Sequence, residues 1–528
     1  MNWNETFDVV VIGSGAAALT GALTSGLSGQ RTVVIEKTQY FGGTSAYSGG
    51  CIWVPGNAVA EDAGVIDSIA LGLEYFSAVV GDRTDSELQR AYLETGPQVI
   101  SLLTHQAGFE FDYLPFPDYF DAPGRVPNGR GIMAKPLAAD ELGDRLHQLR
   151  PTVAADQFGK PVDRSTLVGG QALIARLLKA LDGLANVTLL TNTAMTSLVE
   201  EDDRVVGVVV QRDDEELSFR AGRGVLVAAG GFEGDAAMRK EYQGVPTAQW
   251  TSSSLDASTG DALRALQQVN AATDLLTDSW WCPGMLFPNG RAVFTLGLNG
   301  GIFVDETGKR FANESLPYDQ MGRKLLPKLL ADGALNVWFV FDDRFDAPPA
   351  IVDPAPEREQ FIEAGLWHSA STLRELAKLI DVEPDSLYET VSRFNEFADT
   401  GDDVDFGRGT DPFDLFFAYG NDGPNPALVP IRDAPFHAVK IVLGDLGTKG
   451  GAKFDADGRV LKASGEPIAG LYAAGNSTAS VSGSVYPSGG VPLGSGMSFA
   501  YRAAKAMAAE GITSAEGVTS VVGSAGDL

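Results

Sequence analysis

Cysteine and histidine are scarce in this chain. Its 528 residues include two cysteines, Cys51 and Cys282, and four histidines, His105, His147, His368 and His437. Two cysteines make no disulfide framework, and the histidines form no ligand-spaced pair, so a structural zinc or haem site is not expected. Positive charge is also in short supply. Forty lysines and arginines stand against 69 acidic residues, a net charge of −29. That balance argues against nucleic acid or an anionic membrane surface as partner, and it suits a soluble cytoplasmic protein. Long apolar runs are missing too. "FDVVVIG" (7–13) is too short to span a bilayer and ends in glycine, so it reads as a strand, with no signal peptide or transmembrane segment visible.

Glycine, by contrast, is abundant: 62 residues, many of them clustered, which suggests backbone closely approaching a ligand. Residues 7–36 read as strand, glycine turn, helix, strand. The β-branched run "FDVVVIG" predicts a buried parallel strand. Gly13 and Gly15 open a G-x-G-x-x-A pattern that ends at Ala18. The first glycine permits a tight turn, the second lets backbone approach a pyrophosphate, and Ala18 keeps the helix close to the sheet. Free N–H groups at the helix start, around Ala16 and Ala17, would face that pyrophosphate. "RTVVIEK" supplies the second strand, where Glu36 at its end would bind ribose hydroxyls and Lys37 beside it is a further cofactor-binding candidate.

The following stretch, "FGGTSAYSGG" (41–50), indicates which dinucleotide is bound. A nicotinamide domain would enter a helix here. A second loop of Gly42, Gly43, Thr44, Ser45, Ser48, Gly49 and Gly50 suits a longer cofactor, FAD. Two further strand–glycine segments agree: "GVLVAAGGFEGD" with Ala229 and Gly230, and "AGLYAAGNSTAS" with Gly475 and Asn476. The run after Gly490 predicts a helix starting near Gly494–Ser495, whose positive end, with Gly494, would face the flavin.

These signals predict an α/β fold: a Rossmann-like FAD-binding domain, residues 1–275 and 445–528, with an inserted α+β catalytic cap, residues 276–444. An insertion at about 60–165 interrupts the first half. Residues 186–231 read as strands and hairpins, with "RVVGVVVQ" in a three-stranded meander. In the cap, Thr372–Glu375 and Ser386–Glu389 both fit a helix-capping box, and Leu387, Val391 and Phe394 line one helical face as core. "DADG" marks a hairpin tip, and the small, polar C-terminal tail is expected to be loosely ordered.

"VIGSGAAALTGA", "EKTQYFGGTSAYSGG", "PDYF", "DSWWCPG", "KRFANESLPY", "RFNEF", "LYAAGN" and "YPSGGVPLG" together resemble the 3-ketosteroid Δ1-dehydrogenases, over nearly the whole chain. Fumarate reductases of the same flavoprotein group carry G-[KR]-R-F-x-N-E-x-x-x-R-D, with a proton-donating arginine where this chain has Tyr318. The resemblance implies that Tyr318 is the base that takes the C2 proton, with Tyr119 as its helper. It implies that the Tyr486 hydroxyl and the Gly490 N–H bind the C3 carbonyl, and that flavin takes the C1 hydride. The implied partners are an apolar, steroid-like ketone and an external electron acceptor. A phenol and an amide suit an uncharged ketone, whose developing enolate they stabilise. Ser488 stands where such dehydrogenases often have glycine. Its Tyr-x-Ser pattern with Tyr486 also fits Δ4-type steroid dehydrogenases, and desaturases of simpler cyclic ketones share the scaffold.

Overall fold

The computed structural model describes residues 2–510 apart from 299, 419 and 420. The C-terminal tail lies outside the described residues.

The strand predicted at the N-terminus, Glu5–Ile12, is the centre of an eight-stranded mixed sheet. Its last four residues are buried on both faces, as an uninterrupted apolar strand of a covered parallel sheet must be. On one side it pairs in parallel with Thr32–Ile35, which pairs in parallel with Val187–Leu190. On the other it pairs with Glu215–Val227, which pairs in parallel with Pro467–Ala473. Register aligns the carboxyl ends. Ile12 stands opposite both Ile35 and Val227, and Val227 stands opposite Ala473. Each predicted glycine segment therefore leaves the sheet along one edge, the edge at which open α/β sheets bind ligands. The meander is Thr193–Glu201, Arg204–Arg212 and Glu215–Val227, all antiparallel neighbours.

A second sheet of six strands is antiparallel throughout. Its long strand, Phe436–Thr448, pairs with Ser279–Leu286, Val337–Asp342 and Trp367–Ala370. The helix Tyr318–Asp332 lies on Ser279–Leu286. Gly322 makes that approach possible, since a Cβ there would stand 2.6 Å from the Cys282 nitrogen.

Three local expectations need correction. The C-terminal helix starts earlier, at Val491, and runs to Ala509. Gly490 sits at its N-cap with φ +94°, and Pro492 fits the first turn because its missing N–H has no helical partner there. Ser386 does not cap its helix. The helix Pro384–Thr400 begins one proline earlier, and the Glu383 side chain takes the cap by accepting from the Ser386 N–H. "FGGTSAYSGG" is not all loop, because Gly43–Tyr47 forms a short helix. Thr372 caps Leu373–Leu379 as expected, accepting from the Glu375 N–H. Leu387, Val391 and Phe394 are buried.

Candidate active site

One large cavity, of about 770 Å³, runs along the aligned strand ends. Gly13, Gly15, Ala16, Ala17, Glu36 and Lys37 line it, as do Gly43, Thr44, Ser45, Ser48, Gly49 and Gly50. Ala229, Gly230, Gly475 and Asn476 close the other wall. Gly13 has φ +97°, and a Cβ on it would stand 2.4 Å from the Ala228 carbonyl oxygen. Only glycine makes this turn. The Ser45 hydroxyl accepts from the Ala16 N–H at 3.1 Å, joining the two glycine segments at the helix start. Glu36 accepts from the Ser14 hydroxyl at 2.6 Å and from the Thr38 N–H at 2.9 Å. The Lys37 ammonium pairs with Asp261 at 2.8 Å. Glu233 lines the same cavity, buried, with its Oε1 lacking a hydrogen-bond partner. A glycine-walled trough with a helix N-terminus, a carboxylate at a strand end and an unsatisfied polar atom fits a long dinucleotide.

Two predicted cofactor residues lie off this wall. Gly42, at φ +115°, packs on Ala46, and its N–H donates to Ser14. Gly494 lets the C-terminal helix press on the Trp53 backbone, where a Cβ would stand 2.5 Å from the carbonyl oxygen.

The far end of the cavity is built of phenols. Tyr318 is the first residue of its helix, after Pro317 at the N-cap. Its hydroxyl bonds that of Tyr486 at 2.9 Å. The Tyr119 ring stands 5.6 Å from each of theirs, edge-on, but does not line the cavity. Its hydroxyl makes no well-aligned hydrogen bond, although it is close enough to Tyr318 for each phenol to shift the other's ionisation. Phe294 packs on Tyr318 at 4.9 Å, and Trp280 on Tyr486 at 4.7 Å. The Trp280 indole donates to Asn476 at 3.2 Å, tying the phenols to the cofactor wall. The Gly490 N–H points from a helix start and donates to no acceptor among the described residues. A Cβ on Gly490 would stand 2.8 Å from the Cys51 carbonyl and sulfur.

Burial pushes all three phenols well above the ordinary tyrosine pKa. One contact opposes this at Tyr318, namely its hydrogen bond to Tyr486. Burial alone also pushes the Cys51 thiol up to about 12, so it stays neutral beside them.

The loops that carry Tyr119 and Tyr486 are stapled to each other. The Tyr119 N–H donates to the Pro487 carbonyl at 3.0 Å, and the Tyr75 hydroxyl donates to the same carbonyl at 2.7 Å. Asp118, fully buried, accepts from Trp53, from Val126 N–H and from Arg130. Arg130 in turn pairs with Asp67 at 2.6 Å. Ser488 is also part of this staple. Its hydroxyl is fully buried and donates to the Pro117 carbonyl at 3.4 Å, outside the cavity lining.

The FAD binding domain family matches residues 8–493 of this sequence. This chain belongs to that flavoprotein family. A 3-oxosteroid 1-dehydrogenase of Rhodococcus opacus is 38% identical to it over 526 residues, covering 96% of this chain and 99% of the relative. A 4-oxocyclohexanecarboxylate 2-dehydrogenase of Sinomonas cyclohexanicum is 36% identical, covering 96% and 93%. The crystal structure of the 3-ketosteroid Δ1-dehydrogenase of Sterolibacterium denitrificans, in complex with 1,4-androstadiene-3,17-dione, superposes with a TM-score of 0.88 at 32% identity, covering 96% of this flavoprotein and all of that chain. The flavoprotein is thus an FAD-dependent dehydrogenase of mixed α/β fold. Among the described residues no metal-ligand cluster occurs, and no helix is long and apolar enough to cross a membrane.

Sequence reasoning missed several wall residues. Phe294, Leu296, Gly489, Leu493, Glu233 and Ser258 all line the cavity. Of these, Glu233 follows the "AAGG" turn by two residues and Gly489 and Leu493 lie within "YPSGGVPLG", whereas no motif marks Phe294, Leu296 or Ser258.

Proposed function

We propose that this flavoprotein desaturates the C1–C2 bond of 3-ketosteroids. The observation that carries the reading is the 2.9 Å Tyr318–Tyr486 hydroxyl pair on the wall of the FAD cavity, which Gly490 also lines. Tyr318 takes the C2 proton, and Tyr119, packed on it, helps the phenol exchange that proton. Tyr486 and the Gly490 N–H donate to the C3 carbonyl as enolate charge grows, one such donor being typically worth about 3 kcal/mol. Tyr486 does both tasks only in sequence: it steadies the ionised Tyr318 before the ketone arrives and then turns to the ketone. FAD, when bound, accepts the C1 hydride. An external acceptor reoxidises the flavin.

Charge favours a neutral ketone over a carboxylate. Lys37 is the one cationic side chain among the described cavity-lining residues, and Asp261 already pairs with it. A ring carboxylate, as in the oxocyclohexanecarboxylate named for the Sinomonas relative, has no such counter-charge at the ketone end. Ser488 gives no support to C4–C5 desaturation, since its hydroxyl is spent on Pro117. The division into an FAD-binding domain (1–275 and 445–528) and a cap (276–444) belongs to the same reading. Tyr318 and Phe294 come from the middle segment, and the glycine walls come from the flanking ones.

The test is to mix purified yellow protein with androst-4-ene-3,17-dione and a quinone-type dye and to identify the product. Flavin bleaching and the 1,4-diene are expected. No bleaching with any 3-ketosteroid refutes the reading, and bleaching by cyclohexanone derivatives alone reassigns the substrate.

A further inference from the structure

The reaction just described makes no use of Lys449, yet this side chain is fully buried behind Tyr486. Its Nζ lies 4.2 Å from the centre of the Trp280 ring and 5.9 Å from that of Tyr486. It donates to the Val485 carbonyl at 2.7 Å, one residue before Tyr486. The Lys449 N–H donates to the Asp278 carbonyl, and the Ser480 N–H donates to the Lys449 carbonyl, each at 3.0 Å. Lys449 therefore clasps the chain segment that presents Tyr486.

Its charge is not neutralised at close range. Among the described residues no carboxylate stands within 4.0 Å of the Nζ. The two carboxylates that face it, Asp278 and Asp319, are both held by Arg323, at 3.2 and 2.8 Å. A buried ammonium served by one carbonyl and two ring faces is costly to keep. An apolar side chain of the same length would fill the space without that cost. Asp319 and Asp278 attract this charge from beyond 4.0 Å, and the phenol is the other group within its reach.

We propose that Lys449 is a positioning residue for the carbonyl-binding phenol: it fixes the Val485–Tyr486 segment and directs positive charge at the Tyr486 ring. The inference rests on the function proposed above. A cation over a phenol favours negative charge on its oxygen and so makes the hydroxyl a stronger donor. Through the Tyr318–Tyr486 bond the same field favours ionisation of Tyr318. The other groups facing the pair, Tyr119, Cys51 and Asp319, all oppose that ionisation, as does burial. Burial also pushes Lys449 down to about 8, so its field fades as pH rises past that value.

The test uses full-chain, FAD-loaded enzyme with Lys449→Gln, Lys449→Met and Lys449→Arg. Glutamine keeps a donor for Val485 but no charge. In both neutral variants we expect kcat to fall about 10- to 100-fold, KM to change far less, and the rising limb of kcat/KM against pH to move up by about one to two units. Arginine should restore the limb. Ultraviolet titration of tyrosinate without substrate, read up to about pH 8 where Lys449 keeps its charge and with each variant compared with its Tyr486→Phe counterpart, should show less tyrosinate in the neutral variants. An unmoved limb and an unmoved titration in the neutral variants overturn the proposal. Equal loss in Arg and Gln variants, with no change in pH profile, also overturns it and leaves a structural clasp. If the unaltered enzyme fails to oxidise any ketosteroid, the functional reading fails, while the titration still decides for or against Lys449.

Discussion

Tyr486→Phe separates the proposed chemistry from mere packing. The substitution removes one oxygen and leaves the ring contacts to Trp280 at 4.7 Å, Tyr119 at 5.6 Å and Tyr318 at 5.4 Å. Folding should change little. One neutral hydrogen bond is lost, worth about 1 kcal/mol net, and a buried hydroxyl is lost with it. The catalytic effect should be much larger, in two parts. Loss of a donor to the developing enolate lowers the plateau of kcat about 100- to 1,000-fold. Loss of the bond to Tyr318 acts on the base. A hydrogen bond to a charged group contributes about 1.5–3 kcal/mol, and this one favours ionised Tyr318. The rising limb of kcat/KM against pH, which reports the free enzyme, should therefore move up by about one to two units, because each unit corresponds to about 1.4 kcal/mol. The assay is anaerobic flavin bleaching in a single turnover, followed across pH, which isolates chemistry from product release. A kcat/KM within threefold of the unaltered enzyme, with an unmoved limb, refutes both roles. A double variant with Tyr318→Phe should lose much less than the product of the single losses, since the two phenols share one bond.

Tyr318→Phe should keep its flavin colour and lose desaturation by at least about 100-fold; near-normal product formation removes it as base. Gly13→Ala should fold but fail to retain FAD, because its Cβ has nowhere to go 2.4 Å from the Ala228 carbonyl; a full flavin-to-protein absorbance ratio would contradict this. Arg130→Met should destabilise by about 3–5 kcal/mol in urea unfolding, as Asp118 and Asp67 are left buried without a counter-charge; a loss below about 1 kcal/mol would show that the staple carries little. Above pH ~10 the protein should lose stability steadily. Burial holds Tyr92, Tyr119, Tyr318 and Tyr486 protonated in the fold while the unfolded chain releases those protons near pH 10. Each raised group therefore stabilises fully below that pH, and its contribution falls by up to about 1.4 kcal/mol per unit above it. Denaturant midpoints unchanged on the alkaline side would contradict the burial argument.

The cofactor wall was readable because its signals are local. A strand, a Gly-x-Gly turn and an acidic strand end within thirty residues constrain one another, and register then places Gly13, Glu36, Ala229 and Gly475 on one edge. The helix starts misread at Ser386 and Gly494 failed for a related reason. Pro384 and Pro492 each suit a first helical turn and draw the start upstream of a plausible capping pattern. The phenol cluster is not local. Tyr318 and Tyr486 are 168 positions apart, and no periodicity reports that their hydroxyls meet. Only the resemblance to a family brought them together. Nothing in "PDYF" reveals that Asp118 is a buried hub, and nothing in "GTKGG" reveals that Lys449 passes beneath Tyr486.

The phenol in the proton-transfer slot makes sense only with the charges around it. Tyr318 is followed by Asp319, and both are buried, yet they face different surroundings. Asp319 turns to Arg323 one helical turn on, at 2.8 Å, and Arg323 also holds Asp278. The carboxylates are thus drawn behind the helix and off the cavity wall, where Tyr318, Tyr486 and Phe294 remain. An arginine in the slot of Tyr318 would present a permanent charge to the substrate and would demand an anion. A phenol carries no permanent charge, and once it has taken the substrate's proton it is neutral again. An apolar ketone therefore meets no fixed cation on the wall beside the phenols. The cost is a base whose burial opposes ionisation, and the Tyr486 hydroxyl, the helix start under Tyr318 and the Lys449 ammonium are the three groups placed to offset it.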